Sequence, residues 1–90
     1  MLQGEKLNFY KRKLLIFLEM RPGIEVRETQ LVTDMQVSVD VGVRAEDVER
    51  ALGALKDDGF ATRRATEFNG WVWKVTPSGH EAAAKLALED

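Results

Sequence analysis

The sequence predicts an α+β fold, mainly helical: a three-helix core, a two- to three-stranded β-wing and a C-terminal helix. Three observations carry that expectation. Residues 5–21 and 45–58 repeat apolar side chains every three or four positions, the period of a buried helix face. The stretch "EFNGWVWKVTPSG" at 67–79 places Asn-Gly between alternating apolar positions, the strongest short hairpin signal. It runs directly into Thr-Pro and an alanine-rich segment that favours helix.

The chain has 90 residues, which predicts one domain, 1–90, with a single modest core. Hydrophobic residues make up 44% and charged residues 31%, a balance that argues for a folded chain rather than a disordered one. Formal net charge is -2, so a nucleic-acid site would need a local basic patch. There are no cysteines, which removes disulfides and thiolate chemistry and fits a reducing, cytoplasmic location. The apolar run at 14–18 follows Lys11, Arg12 and Lys13 in the manner of a leader peptide. Glu19 and Arg21 close it after five residues, too few to span a membrane, and the run reads as core helix.

In the first helix Leu7, Tyr10, Leu14, Phe17 and Leu18 line one face, and Pro22-Gly23 ends it. Phe9, Ile16 and Met20 lie off that stripe. This surplus apolar surface predicts a second buried side, and hence a homodimer built mainly on the first helix, with the last helix as a further candidate. Ile24-Glu25-Val26 alternates and predicts a minor strand. Leu31, Val32, Met35 and Val39 fit a helix capped by Thr29 and ending near Asp40, with Gly42 as the break. Val37, Val39, Val41 and Val43 alternate as a strand would; the helix is the reading adopted.

Residues 45–58 form the clearest helix, with Val48, Ala51, Leu52 and Leu55 buried. Glu46, Asp47 and Glu49 suit the positive end of its dipole, and Gly59 is a fitting residue just beyond it. With Asn69 and Gly70 as a two-residue loop, the hairpin would pair Phe68 with Trp71, Thr66 with Trp73 and Arg64 with Val75. Arg63 and Lys74 would then share the other face with Val72 and Glu67. Thr76 caps the last helix, with Pro77 in its first position.

Several segments resemble winged helix-turn-helix regulators. "RALGALKDDGFATRR" is similar to their third helix and wing entry, "VGVRAEDV" to the turn before that helix, and "WKVTPSGHEAA" to the Leu-Thr-x-x-Gly segment that ends the wing in MarR and PadR-like transcriptional regulators. The resemblance implies a small DNA-binding regulator of transcription whose third helix enters the major groove while the wing touches the backbone. On that basis Arg44, Arg50, Lys56, Arg63, Arg64 and Lys74 are the expected DNA contacts. The same scaffold also serves as a protein-interaction module, and the acids around Arg50 favour that alternative because they repel phosphates.

Individual residues carry two readings each. Glu46 and Arg50, four apart, form either a solvated helix pair or a guanine-reading arginine with its orienter. Gly53, mid-helix on the exposed face, either admits a close approach or is simply tolerated. Arg63 and Lys74 either grip phosphates or lie solvated, with Glu67 neutralising Lys74. Trp73 and Val75 are expected in the core. Phe68 and Trp71 are expected to stack on each other, or else to contact a partner protein, a second subunit or a minor groove. A lone His80, serines without a nearby base and no Gly-rich phosphate loop predict no metal, no cofactor and no catalysis.

Overall fold

The computed structural model describes residues 4–68 and 70–89. The chain order is α1 (Gly4–Glu19), β1 (Val26–Arg27), α2 (Glu28–Ser38), α3 (Ala45–Asp57), β2 (Ala61–Thr66), β3 (Gly70–Val75) and α4 (Pro77–Glu89). The strands form an antiparallel sheet in the order β1-β3-β2. This is the α+β, mainly helical architecture the sequence predicts.

α1 is the central helix and packs against α2, α3, α4 and β3. Its Tyr10, Leu14, Leu15 and Leu18 are buried, while Leu7 and Phe17 are half-covered against the same core. α2 adds Leu31 and Met35, α3 adds Val48, Ala51, Leu52 and Leu55, and the sheet adds Val26, Ala61, Trp73 and Val75. α2 begins two residues earlier than Thr29 as its cap would dictate. Arg27 is its N-cap, so Thr29 lies in the first turn and its carbonyl accepts from the Thr33 hydroxyl. The reason is that β1 runs straight into α2. Glu28 accepts a hydrogen bond from the Trp73 indole at 2.9 Å, which ties the helix start to β3.

The valine alternation at 37–43 resolves as the end of a helix and a turn. Val37 and Val41 are exposed, Val39 packs against the core and Val43 is buried. The Gly42 amide donates to Asp40 Oδ1 at 2.9 Å, closing the turn that leads to α3.

Two ends of α3 are held by acids. The Arg44 amide donates to Asp47 Oδ2 at 3.3 Å, so Asp47 caps the helix start. Asp58, at the unfavourable end of the dipole, is compensated by Lys11 of α1, 2.6 Å away. Gly59 takes φ +81, the left-handed conformation glycine adopts without strain.

The Thr-x-x-Gly segment has a tight physical basis. Thr76 Oγ1 accepts from the Gly79 amide at 3.0 Å, as a helix cap should, and donates to the Gly59 carbonyl at 2.6 Å. The Thr76 amide donates to the Phe60 carbonyl at 3.1 Å. A Cβ on Gly79 would stand 2.1 Å from that carbonyl oxygen, so this position has no room for a side chain. One threonine and one glycine thereby join the end of β3, the start of β2 and the start of α4.

The hairpin register differs from the expected one. Thr66 pairs with Gly70, Ala65 with Trp71, Arg64 with Val72, Arg63 with Trp73, Thr62 with Lys74 and Ala61 with Val75. The connection spans residues 67–69, of which Asn69 lies outside the described residues. The pairs Phe68–Trp71, Thr66–Trp73 and Arg64–Val75 are therefore not formed. An odd shift exchanges the faces of one strand relative to the other. The observed register sets Ala61, Arg63 and Ala65 on the side of Trp71, Trp73 and Val75, and buries Ala61. The expected register would have set Thr62, Arg64 and Thr66 there instead. Core burial decides at Ala61; Ala65, nearer the tip, stays exposed.

Candidate nucleic-acid interface

α3 buries one side and leaves Glu46, Glu49, Arg50, Lys56 and Asp57 exposed. β2 passes beside it. Glu46, Glu49, Arg50 and Gly53 of α3 and Arg63 of β2 together line an open cleft of about 410 Å³. Gly53 has no neighbouring atom within 4 Å of where a Cβ would stand, so packing does not require glycine there.

Arg63 is positioned by tryptophan. Its guanidinium carbon lies 4.1 Å from the centre of the Trp71 ring and 5.9 Å from that of Trp73. A guanidinium over an indole face gains roughly 0.5–1 kcal/mol at an exposed site and loses freedom it would otherwise have to give up on binding. Trp71 is 38% exposed and Phe68 89% exposed. The two rings do not stack on each other. The register separates them, and Trp71 carries Arg63 instead.

Of the six expected DNA contacts, Arg50 and Arg63 meet at the cleft. Arg44 sits at the N-terminus of α3 and Lys56 in its last turn, about 18 Å apart along the axis at 1.5 Å per residue. Arg64 and Lys74 lie on the other face of the wing, away from the cleft. The expectation that Arg63 and Lys74 share a face fails with the register that generated it.

Arg64 is already engaged. Its Nε and Nη2 each donate to a carboxylate oxygen of Glu25 at 2.8 Å, a two-pronged bond that crosses β3. Val72, the register partner of Arg64 on that face, is buried. The hydrogen bonds from Arg64 hold the Glu25 carboxyl below its ordinary value of 4.5, and the nearby charges of Arg64 and Lys74 act in the same sense. Lys74 thus acts on Glu25, and it pairs with Thr62 in the sheet. No sequence signal links residues 25 and 64, because the link exists only after β1 and β2 flank β3.

The acids of α3 also separate into roles. Asp47 caps the helix. Glu46 faces Arg44, whose Nη1 is 3.5 Å away, rather than pairing with Arg50. Glu49 and Arg50 make no side-chain hydrogen bond or ion pair among the described residues. His80 bonds Glu19, joining α4 to the end of α1, which gives the lone histidine a structural task. No helix among the described residues is long and apolar enough to cross a membrane.

No protein-family model matches the chain, and no curated protein matches it. Among solved structures, it is similar to a transcriptional regulator from Clostridium thermocellum, with a TM-score of 0.71 and 12% identity. That alignment covers 99% of this chain and 87% of the regulator. At that identity the likeness concerns the fold alone: a helical core, a three-stranded sheet and a closing helix, in a winged-helix-like arrangement.

Proposed function

We propose that this chain is a small, non-catalytic transcriptional regulator of the MarR and PadR-like kind that binds double-stranded DNA as a cytoplasmic homodimer. The observation that carries the reading is the cleft between α3 and the wing. The rest of the fold leaves the outer face of α3 uncovered, and Arg50 from the helix and Arg63 from the wing converge beside it. An exposed helix next to a strand-borne cation is the arrangement that can enter a major groove and hold an adjacent phosphate. The homodimer reading rests on Phe9 and Met20, which are 45% and 71% exposed on α1 and just beyond it.

The test is a gel shift against random-sequence duplex at low salt, followed by a salt series. Binding should weaken steeply as salt rises. Arg63→Ala should lower the salt slope by about one for a lost phosphate contact. A protein that leaves every duplex unshifted at low salt refutes the reading. A second reading, a winged-helix module that binds protein, is favoured by the exposed acids of α3 and by Phe68. It takes over if no duplex is bound.

A further inference from the structure

We propose that α3 selects G·C base pairs, with Arg50 donating to guanine and Glu49 accepting from cytosine; this rests on the DNA-binding reading above. The acids of α3 otherwise work against DNA, so each needs an account. Asp47 has one as the helix cap, and Glu46 has one beside Arg44. Two have none within the described fold: Asp57, in the last turn and outside the cleft, and Glu49, which is exposed and unpaired and lines the cleft beside Arg50, itself unpaired. A free carboxylate beside a free guanidinium on a groove-facing helix matches one base pair in particular. In the major groove guanine offers O6 and N7 as acceptors, which a guanidinium contacts with two donors. Cytosine offers its N4 hydrogen, which a carboxylate accepts. An A·T pair in the same orientation presents adenine N6, a donor, beside Arg50 and thymine O4, an acceptor, to Glu49; the reversed pair gives Glu49 a donor but offers Arg50 the single acceptor O4 where guanine offers two.

Two further features fit. Gly53 lies one turn beyond Glu49 and Arg50 and carries no side chain, so the helix surface stays low where a base edge would approach. Arg63, held over Trp71, stands across the cleft as a cation for the adjoining backbone. The acid thus lowers general affinity for DNA and raises discrimination between sequences. The charge of the helix is a selectivity device rather than a defect.

The test uses the full chain and a pool of duplexes with a randomised core, sequencing bound and unbound fractions. The expected result is enrichment of G·C at one or more core positions, of roughly 5- to 150-fold for a good pair of contacts. Arg50→Ala should abolish the guanine enrichment. Glu49→Ala separates the proposal from simple repulsion. It should strengthen binding to A·T-rich duplex more than to the selected duplex, reducing the G·C preference to the part that Arg50 supplies through guanine, whereas a merely repulsive acid would, when removed, strengthen binding to all duplexes equally. In the selected duplex, 7-deazaguanine removes the N7 acceptor and N4-methylcytosine fills the groove-facing N4 position. Each should weaken the wild type, and the first should leave Arg50→Ala unaffected. DNA binding without G·C enrichment, or with enrichment unchanged in both variants, overturns the proposal while leaving the DNA-binding reading intact. Absence of binding to any duplex at low salt overturns both.

Discussion

Gly79→Ala and Gly53→Ala make the same chemical change on two helices, and the structure assigns them opposite signs. At Gly79 the new Cβ would stand 2.1 Å from the Phe60 carbonyl oxygen, 2.8 Å from Val75 Cγ2 and 2.9 Å from the Phe60 carbonyl carbon. The closest neighbour is backbone, so no rotamer change relieves it. Opening the gap to ordinary contact moves α4 away from residue 60 by more than an ångström. That movement strains the Thr76 amide bond to the same carbonyl, 3.1 Å long in the native fold. Overpacking of this kind costs about 1–3 kcal/mol and a weakened hydrogen bond about 1 kcal/mol, against a gain of up to about 1 kcal/mol in helix propensity. The net expectation is a loss of about 2 kcal/mol. At Gly53 nothing stands within 4 Å, so only the propensity term remains, and the change should stabilise by up to about 1 kcal/mol. Urea titrations read both. With a slope near 1 kcal/mol per molar, expected for a small domain, the Gly79 midpoint should fall by about 2 M and the Gly53 midpoint should rise. A Gly79→Ala protein as stable as the wild type would show that the close approach of α4 to residue 60 is not what fixes glycine there.

Trp73→Ala should cost about 3–5 kcal/mol, because the ring is fully buried and its indole holds Glu28; Trp71→Ala should cost roughly 1 kcal/mol, chiefly the Arg63 stack, as the same titrations would show. The Glu25–Arg64 bond contributes stability that is present above the unfolded pKa of Glu25 and lost as pH falls through its lowered folded value. Glu25→Gln should therefore lower the urea midpoint at neutral pH and make no difference once the pH lies below that value; an equal deficit at every pH would refute the linkage. Sedimentation at micromolar concentration should show a dimer near twice 10.2 kDa, and Phe9→Ser should shift it toward monomer; a wild-type monomer would dismiss the interface on α1.

The elements whose signals are local are legible along the chain. The period of Val48, Ala51, Leu52 and Leu55 marks α3, and Pro77 after Thr76 marks the start of α4, because a helix face or a cap is written within a few residues. The sequence also pointed to Trp73 as core and to Arg50 and Arg63 as candidate contacts. The tertiary structure decided everything that depends on which strand slides against which. The turn sequence suggested one register, but the burial of Ala61 opposite Val75 sets another, and three residues of slip move Arg63 onto Trp71 and send Arg64 across β3 to Glu25. The same holds for the acids. Their positions on α3 are legible in the chain, yet whether an acid caps, pairs or stays free depends on what stands beside it in space. Hydrophobic burial outweighs the local preference of a turn, and the charges then take whatever partners that choice leaves within reach.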